Sequence, residues 1–446
     1  MILTRRQFLT SAAVVTAGSV MLPAVFKRAG VAALVDPPSG DDKRKATRTL
    51  VVVQMAGGND GLNTVVPYKE SLYQTYRPGL ALQPNEVIPI TDDVALHGSM
   101  TKFKELWDAG LLAVVQGVGY PSPTFSHFSA MDIWQTADPT LKIRTGWLGR
   151  YLESLDRKAA TAFEGMAVGG RLPKEFESSV PLPLIESVNA YRILTDGLRT
   201  DQTERRINAL TSLYSSFPKE VPYSVLLDGT MNSMVESTSK LQTANAAYRT
   251  SVTYPANNSL AAGLRLIATA IDAGLGVRVA HISIGGFDTH SAQRGNQQRL
   301  LQQLSEGIAA FYSDLREHGR EQDVLVMTWS EFGRRAKGNG SAGTDHGSAG
   351  PLFIVGSKVK GGVYGERPSL SNLESDNLRF TTDFRSVYST VLQEWLGVSP
   401  DISLGTTAFA PLKMIANSPS PLVPLPRPVV PRAATSTPVT VTPAAR

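Results

Sequence analysis

Five times between about Lys45 and Ala416 an apolar, β-rich run of the chain ends directly in a glycine-rich or acidic turn. Thr49–Met55 runs into Ala56-Gly-Gly-Asn59-Asp60-Gly61, and Leu111–Val115 into Gln116-Gly-Val-Gly119. Val277–Ile284 runs into Gly285-Gly-Phe287-Asp288-Thr289-His290, Asp323–Thr328 into Trp329-Ser-Glu331-Phe-Gly333, and Pro351–Val355 into Gly356. This is the pattern of a parallel sheet whose strands feed loops at their carboxyl ends. Helical periodicity fills the gaps: Ser99 to Ala109 carries Met100, Phe103, Leu106 and Trp107 on one face, and the spacing recurs over Ser259 to Ala273 and Asn296 to His318. Asp383 to Trp395 predicts a last helix, with Gly397 as its C-cap. The expectation is an α/β fold, an α/β/α sandwich around a mostly parallel sheet. A helical and irregular stretch, residues 155–258, interrupts the alternation and reads as an inserted subdomain or a cap.

The ends of the chain carry its basicity. The formal charge is +5 over 446 residues, which would suit nucleic acid or an anionic surface if it lay on the folded part. Residues 1–33 hold Arg5, Arg6, Lys27 and Arg28 with no acid, and the tail 417–446 holds Arg427, Arg432 and Arg446 with none, so the middle is slightly acidic. The start, Thr4-Arg5-Arg6-Gln7-Phe8-Leu9, followed by a weakly apolar run to Phe26, reads as an export signal with cleavage permitted after Ala33. Its arginine pair resembles a twin-arginine signal, the route that carries folded proteins across a bacterial inner membrane, with an ordinary secretory signal or a signal-anchor as the alternative. No other segment has a membrane-spanning length of apolar residues. The tail has Pro at short intervals and is expected to be a disordered tail or tether.

In an open parallel sheet, polar groups at the strand ends share one crevice. Asp60, Asp288, His290 and Glu331 are placed that way, and Asp345-His346 lies in a glycine loop just before the fifth run. So many carboxylates with two imidazoles would repel as bare anions, and divalent cations are the usual resolution. Cysteine is absent, so oxygen and nitrogen ligands remain, which suits Zn²⁺, Mn²⁺ or Mg²⁺. A hydroxyl nucleophile is offered by Pro121-Ser-Pro-Thr-Phe-Ser126-His127-Phe128, where Ser126 stands at a helix entry. Ser126 is also a plain N-cap candidate, with Thr124 and Ser122 as rival nucleophiles. His127 could donate to a leaving group or simply pack beside Phe125 and Phe128, and Arg334 could bind an anionic substrate or be a solvated cation.

Together, Gly-Gly-Asn59-Asp60-Gly-Leu-Asn63, Ser126-His127-Phe128, Gly-Gly-Phe287-Asp288-Thr289-His290, Ser330-Glu331-Phe332-Gly333-Arg334 and Thr344-Asp345-His346-Gly347 resemble the twin-arginine-exported family of domains of unknown function numbered 1501. The resemblance runs from about Leu50 to Gly397. That family is in turn similar to the alkaline phosphatase and sulfatase superfamily, which implies a sandwich with two metal positions at the strand ends. The resemblance makes Asp60 a ligand of one metal, completed by Glu331, with Ser126 as nucleophile; Asp288, His290 and His346 form the other. A competing alignment gives Asp345-His346 the role of the superfamily's Asp-His pair. Phe332 stands where a ligand histidine belongs, which points to a weakened or lost metal position.

The expected function is an exported hydrolase of phosphate or sulfate esters that depends on a divalent metal, located in the periplasm, at the cell surface or outside the cell. Ser126, His127 and Arg334 are its candidate catalytic residues; Asp60, Asp288, His290, Glu331, Asp345 and His346 are its candidate ligands. Its expected partners are an anionic ester and the twin-arginine translocase, with membrane contact only through the signal and no nucleic acid. The alternative is a non-catalytic envelope protein of the same fold that binds a surface glycan or a protein.

Overall fold

The structure, a computed structural model, describes residues 48–156, 161–188, 190–191, 200–221 and 224–416. The expected signal over 1–33 and the tail 417–446 lie outside the described residues. Nine strands form the main sheet: β1 (Thr49–Ala56), β2 (Leu112–Gly119), β3 (Gly165–Val168), β4 (Leu184–Ile185), β5 (Val279–Gly285), β6 (Val324–Trp329), β7 (Gly350–Val355), β8 (Gly362–Tyr364) and β9 (Thr382–Asp383). Their spatial order is β8-β2-β7-β6-β1-β5-β3-β4, with β9 also paired to β2.

Alternate residues of each central strand enter opposite cores, as a two-residue side-chain period requires. Val51, Val53, Met55, Val114, Val326 and Phe353 lie in one core. Leu50, Val52, Val115, Met327 and Ile354 lie in the other. The first face is covered by α1 (Thr101–Asp108), α6 (Ser259–Asp272) and α7 (Gln293–Glu317). On the second pack α2 (His127–Thr136), α3 (Trp147–Glu153) and α8 (Phe384–Thr390). The molecule is an α/β/α sandwich. The helix after Asp383 starts on that residue's own carboxylate, which caps the Arg385 N–H, and continues as a π-helical turn to Leu396, stopped by Gly397 at φ +72°.

Two features depart from the expectation. Within 155–258, β3 and β4 extend the sheet beyond β5 in parallel register, so that part is sheet edge; among the described residues of the stretch the long helices are α4 (Thr200–Ser215) and α5 (Ser224–Ala247). The second is the fifth apolar run, β7, which runs antiparallel to both β2 and β6. Strands β1, β2, β5 and β6 share one direction, so their carboxyl ends meet at one edge, and β7 begins where they end. That reversal brings the loop before β7, with Asp345 and His346, to the same edge.

Close to that edge, a three-strand sheet ends in Ala95–His97. His97 Nδ1 accepts the Ser99 N–H at 3.1 Å and so shapes the loop before α1. Burial, helped by the positive charge of Arg294, pushes the His97 imidazole down to about 4 from 6.5. Between those values the unfolded chain binds a proton that the folded protein does not, so stability falls as pH drops from about 6.5 to 4. The loss attributable to His97 is about 3 kcal/mol at most, and it vanishes in His97→Asn, which urea unfolding at pH 7 and pH 4 would measure.

Candidate metal centre

The first loop of the site owes its path to two glycines. Gly57 has φ +123° and Gly58 φ +84°. A side chain on Gly57 would meet the Asp288 backbone nitrogen, and one on Gly58 would meet the Phe332 ring. The loops after β1, β5 and β6 therefore lie directly against one another.

Four side chains from three loops converge in front of them. His346 Nε2 and His290 Nε2 each lie 3.1 Å from Asp288 Oδ1. His127 Nε2 lies 3.4 Å from Asp288 Oδ2, and the Nε2 atoms of His290 and His346 are 2.9 Å apart. Each ring is oriented from behind through Nδ1. His127 Nδ1 donates to Glu331 Oε1 at 2.9 Å, His346 Nδ1 to the Phe125 carbonyl at 2.8 Å, and His290 Nδ1 to Asp345 Oδ1 at 3.2 Å. Since carboxylates and carbonyls can only accept, these bonds place each neutral ring's proton on Nδ1 and turn an Nε2 lone pair toward Asp288. Three lone pairs and a carboxylate aimed at one point repel each other, and a divalent cation resolves the repulsion. His127, Asp288 and His346 each offer a ligand atom within 4.8 Å of the others. These three donors could hold a metal ion, and His290 Nε2, 2.9 Å from His346 Nε2, adjoins them.

Asp288 is anionic there. Burial alone would raise its carboxyl, but the hydrogen bond and positive charge of Arg334, with the imidazoles of His346 and His290 close by, outweigh it and hold the group at about 2. Asp345 is lowered as well, first by its hydrogen bond from Asn339 and then, against some desolvation, by His290.

Several expected residues have different places. Asp60 is not joined to the imidazoles: it is 1% exposed, and its Oδ2 receives Arg77 Nη1 and Gln293 Nε2. Arg77, fully buried, also donates to Asn63 Oδ1 at 3.1 Å and to the carbonyls of Ala336 and Arg335 at 2.9 Å. An internal guanidinium thus neutralises the carboxylate expected to hold a metal. Glu331 and Asp345 stand behind imidazoles, so neither the Glu331 ligand role nor the competing Asp345-His346 pairing matches this geometry. Arg334, expected to meet a substrate, is buried: Nε donates to Gly58 O at 2.7 Å, Nη1 to Thr344 O at 2.8 Å, and Nη2 to Asp288 Oδ1 at 2.7 Å and to the carbonyls of Gly57 and Phe287. It fastens three loops. Phe332 lies against His127 and His346, with ring centroids 4.9 and 4.4 Å away.

Ser126 is exposed at the start of α2 and makes no side-chain cap bond. Its neighbours on both sides touch the cluster, Phe125 through its carbonyl and His127 through its ring. Thr124 is half-buried, and its hydroxyl accepts the Ser126 N–H at 3.3 Å. Arg77, Gln293 and Asn339 were not foreseen; Arg77 sits in a Tyr-Arg-Pro-Gly turn that carries no motif.

Glu331 supplies a direct check on the outer partners. Glu331→Gln keeps the shape but weakens the acceptor behind His127, and should lower metal affinity about 10–100-fold without unfolding the protein, measured by competition with a chromophoric chelator.

A family model described as "Protein of unknown function (DUF1501)" matches residues 47–396. No curated protein matches the chain. Among solved structures, it is similar to the PsFucS1 sulfatase from Pseudoalteromonas sp., at 12% identity and TM-score 0.37, covering 85% of this chain and 74% of that one. It is similar to a protein in the alkaline phosphatase superfamily from Vibrio parahaemolyticus, at 8% identity and TM-score 0.33, covering 82% and 72%. A third is the C-terminal periplasmic domain of EcEptC from Escherichia coli in complex with Zn, at 10% identity and TM-score 0.32, covering 70% and 74%.

Proposed function

We infer a function for a chain that belongs to the DUF1501 family: it is an exported, metal-dependent hydrolase of phosphate or sulfate esters. The observation that carries the reading is the convergence of His127, His290 and His346 Nε2 on the Asp288 carboxylate, with the exposed residue Ser126 next to His127 in the chain. When bound, a divalent cation would supply Lewis-acid polarisation of an ester oxygen. Ser126 presents the attacking hydroxyl at the helix entry, where the α2 dipole favours negative charge. Glu331, Asp345 and the Phe125 carbonyl hold the three imidazoles in their tautomer, and Arg334 holds Asp288 ionised and in place. Because Asp60 is already paired with Arg77, one metal per chain is expected. The export assignment rests on Arg5-Arg6 and the weakly apolar run after them. Among the described residues no helix is long and apolar enough to cross a membrane.

A binding role is favoured by a different observation. Phe128, two residues after Ser126, is 78% exposed and Phe125, directly before it, 37% exposed, while Arg334 is withdrawn from the surface. Elemental analysis of the purified protein, followed by turnover of phosphomonoester, phosphodiester and sulfate-ester substrates, separates the two. The hydrolase reading expects about one metal per chain and turnover that drops at least about a thousandfold in Ser126→Ala. Bound metal with no turnover on any ester would leave the binding role, and retained activity in Ser126→Ala would remove Ser126 as nucleophile.

A further inference from the structure

Helix α7 begins three residues after His290 and runs for 25 residues, about 37 Å at the α-helical rise, so its C-terminal end lies well away from the imidazole cluster. His318 is the cap residue of that end. Its Nδ1 lies 2.9 Å from the Asp314 carbonyl oxygen and its Nε2 2.9 Å from the Arg249 carbonyl oxygen. Nδ1 also lies 3.2 Å from Asp314 Oδ1. Carbonyl oxygens only accept, so either neutral form of the ring would turn a lone pair onto one of them. The geometry calls for the imidazolium, which donates on both sides.

The groups around the ring favour that charge. The C-terminus of α7 is the negative end of its dipole, and the Tyr248 ring stacks on the imidazole with centroids 5.0 Å apart and planes within 15°. Desolvation works against the charge, but the Asp314 carbonyl, Asp272 on α6, the Arg249 carbonyl and the Asp314 carboxylate outweigh it and raise the imidazole above its ordinary 6.5. Two cations are near: Arg265 of α6 stands 5.7 Å over the Tyr248 ring, and the Arg249 guanidinium turns back onto the carbonyls of Ala246 and Tyr248.

What the ring holds is the connection that follows α5. The Tyr248 and Tyr254 hydroxyls both donate to Asp314 Oδ2 at 2.6 Å, the Ser251 N–H donates to Glu317 Oε1 at 2.8 Å, and His318 Nε2 donates to Arg249 O. Residues 248–254 are thus tied to Asp314, Glu317 and His318 at the end of one helix. Burial and Asp314 push both tyrosine hydroxyls up, so they keep their protons, and the hydrogen bonds from Ser251 hold Glu317 low. Among these residue types, histidine is the one whose ordinary titration falls near neutrality.

We propose that His318 is a pH-responsive clasp: charged, it fastens residues 248–254 to the end of α7, and on losing its proton it releases them and with them the C-terminal end of α5. Because the folded protein raises the imidazole, its contribution is complete below about 6.5 and is lost as pH rises through the raised value. The clasp goes beyond the hydrolase reading and does not depend on it.

Hydrogen exchange of the full chain, followed by mass spectrometry at about pH 6 and pH 8.5 and corrected for the intrinsic chemical rate, tests it. Residues 248–254 should exchange at least about tenfold faster at the higher pH while β6 keeps its protection. In His318→Gln, which neither gains nor loses a proton, that difference between the two pH values should vanish. Histidine side-chain NMR, assigned with the same variant, should show His318 titrating above 6.5. Equal protection of 248–254 at both pH values in the wild type overturns the proposal, as does a pH difference that persists in His318→Gln or a ring that titrates at or below 6.5. If the variant does not fold, the wild-type exchange decides.

Discussion

Asp288→Asn should leave the protein folded while metal affinity and ester turnover each fall at least about a hundredfold. The argument starts from charge. Asp288 is the sole anion among the four groups that converge, and the Arg334 guanidinium above all keeps it ionised down to about 2 against its own desolvation. Asparagine retains the size and the oxygen that accepts Arg334 Nη2, so the loops stay tied; what disappears is the negative charge that offsets a dication. The side chain is 46% exposed, so little core packing is at stake. Metal content by elemental analysis, Tm and turnover measured on one preparation would check it. A variant that keeps its metal and its rate would remove Asp288 from the site.

Arg77→Met should destabilise the protein by about 3–5 kcal/mol. The guanidinium is fully buried against Oδ2 of Asp60, itself 1% exposed, and Asp60 Oδ1 has no hydrogen-bond partner. Removing the cation leaves a carboxylate in the interior with only the Gln293 amide on its other oxygen, and leaves the carbonyls of Ala336 and Arg335 without their donor. The double variant Asp60→Asn with Arg77→Met should regain most of the loss, because no uncompensated charge remains. Denaturant midpoints for the four proteins of this cycle give the coupling. Additive losses would mean that the pair does not act as a unit.

The strands and most helices were legible in the sequence because burial on both faces leaves a local trace. Thr49–Met55 and Asp323–Thr328 carry it plainly, and α6 and α7 were expected within three residues of their observed ends. Strand direction leaves no such trace. Pro351–Val355 has the composition of its parallel neighbours, and only the tertiary pairing shows that β7 is reversed. Gly165–Val168 and Leu184–Ile185 are too short for their pattern to stand out from the helical stretch that follows. In the site, Asp288, His290 and His346 were legible from their glycine-flanked loops. The division between groups that face the cluster and groups that stand behind it was not, because Glu331, Asp345 and Asp60 are carboxylates in equally suitable loops. What separates them is which atom of which neighbour they meet, and Arg77, seventeen residues from Asp60, meets it only after folding.

Arg334 bonds Gly57 and Gly58 from 277 and 276 residues away, and Phe287 from 47. The centre is therefore completed only after nearly the whole folded region has been synthesised, and no early fragment of the chain can assemble it. Contacts of such sequence separation form late and slowly. For a chain exported in folded form, as the Arg5-Arg6 segment suggests, the cluster would be finished before it crosses the membrane. The ion it carries would then be selected from the cytoplasmic metal pool, whatever metals are abundant where the protein works. Protein matured with its export blocked should hold the same metal as protein recovered outside the cytoplasm.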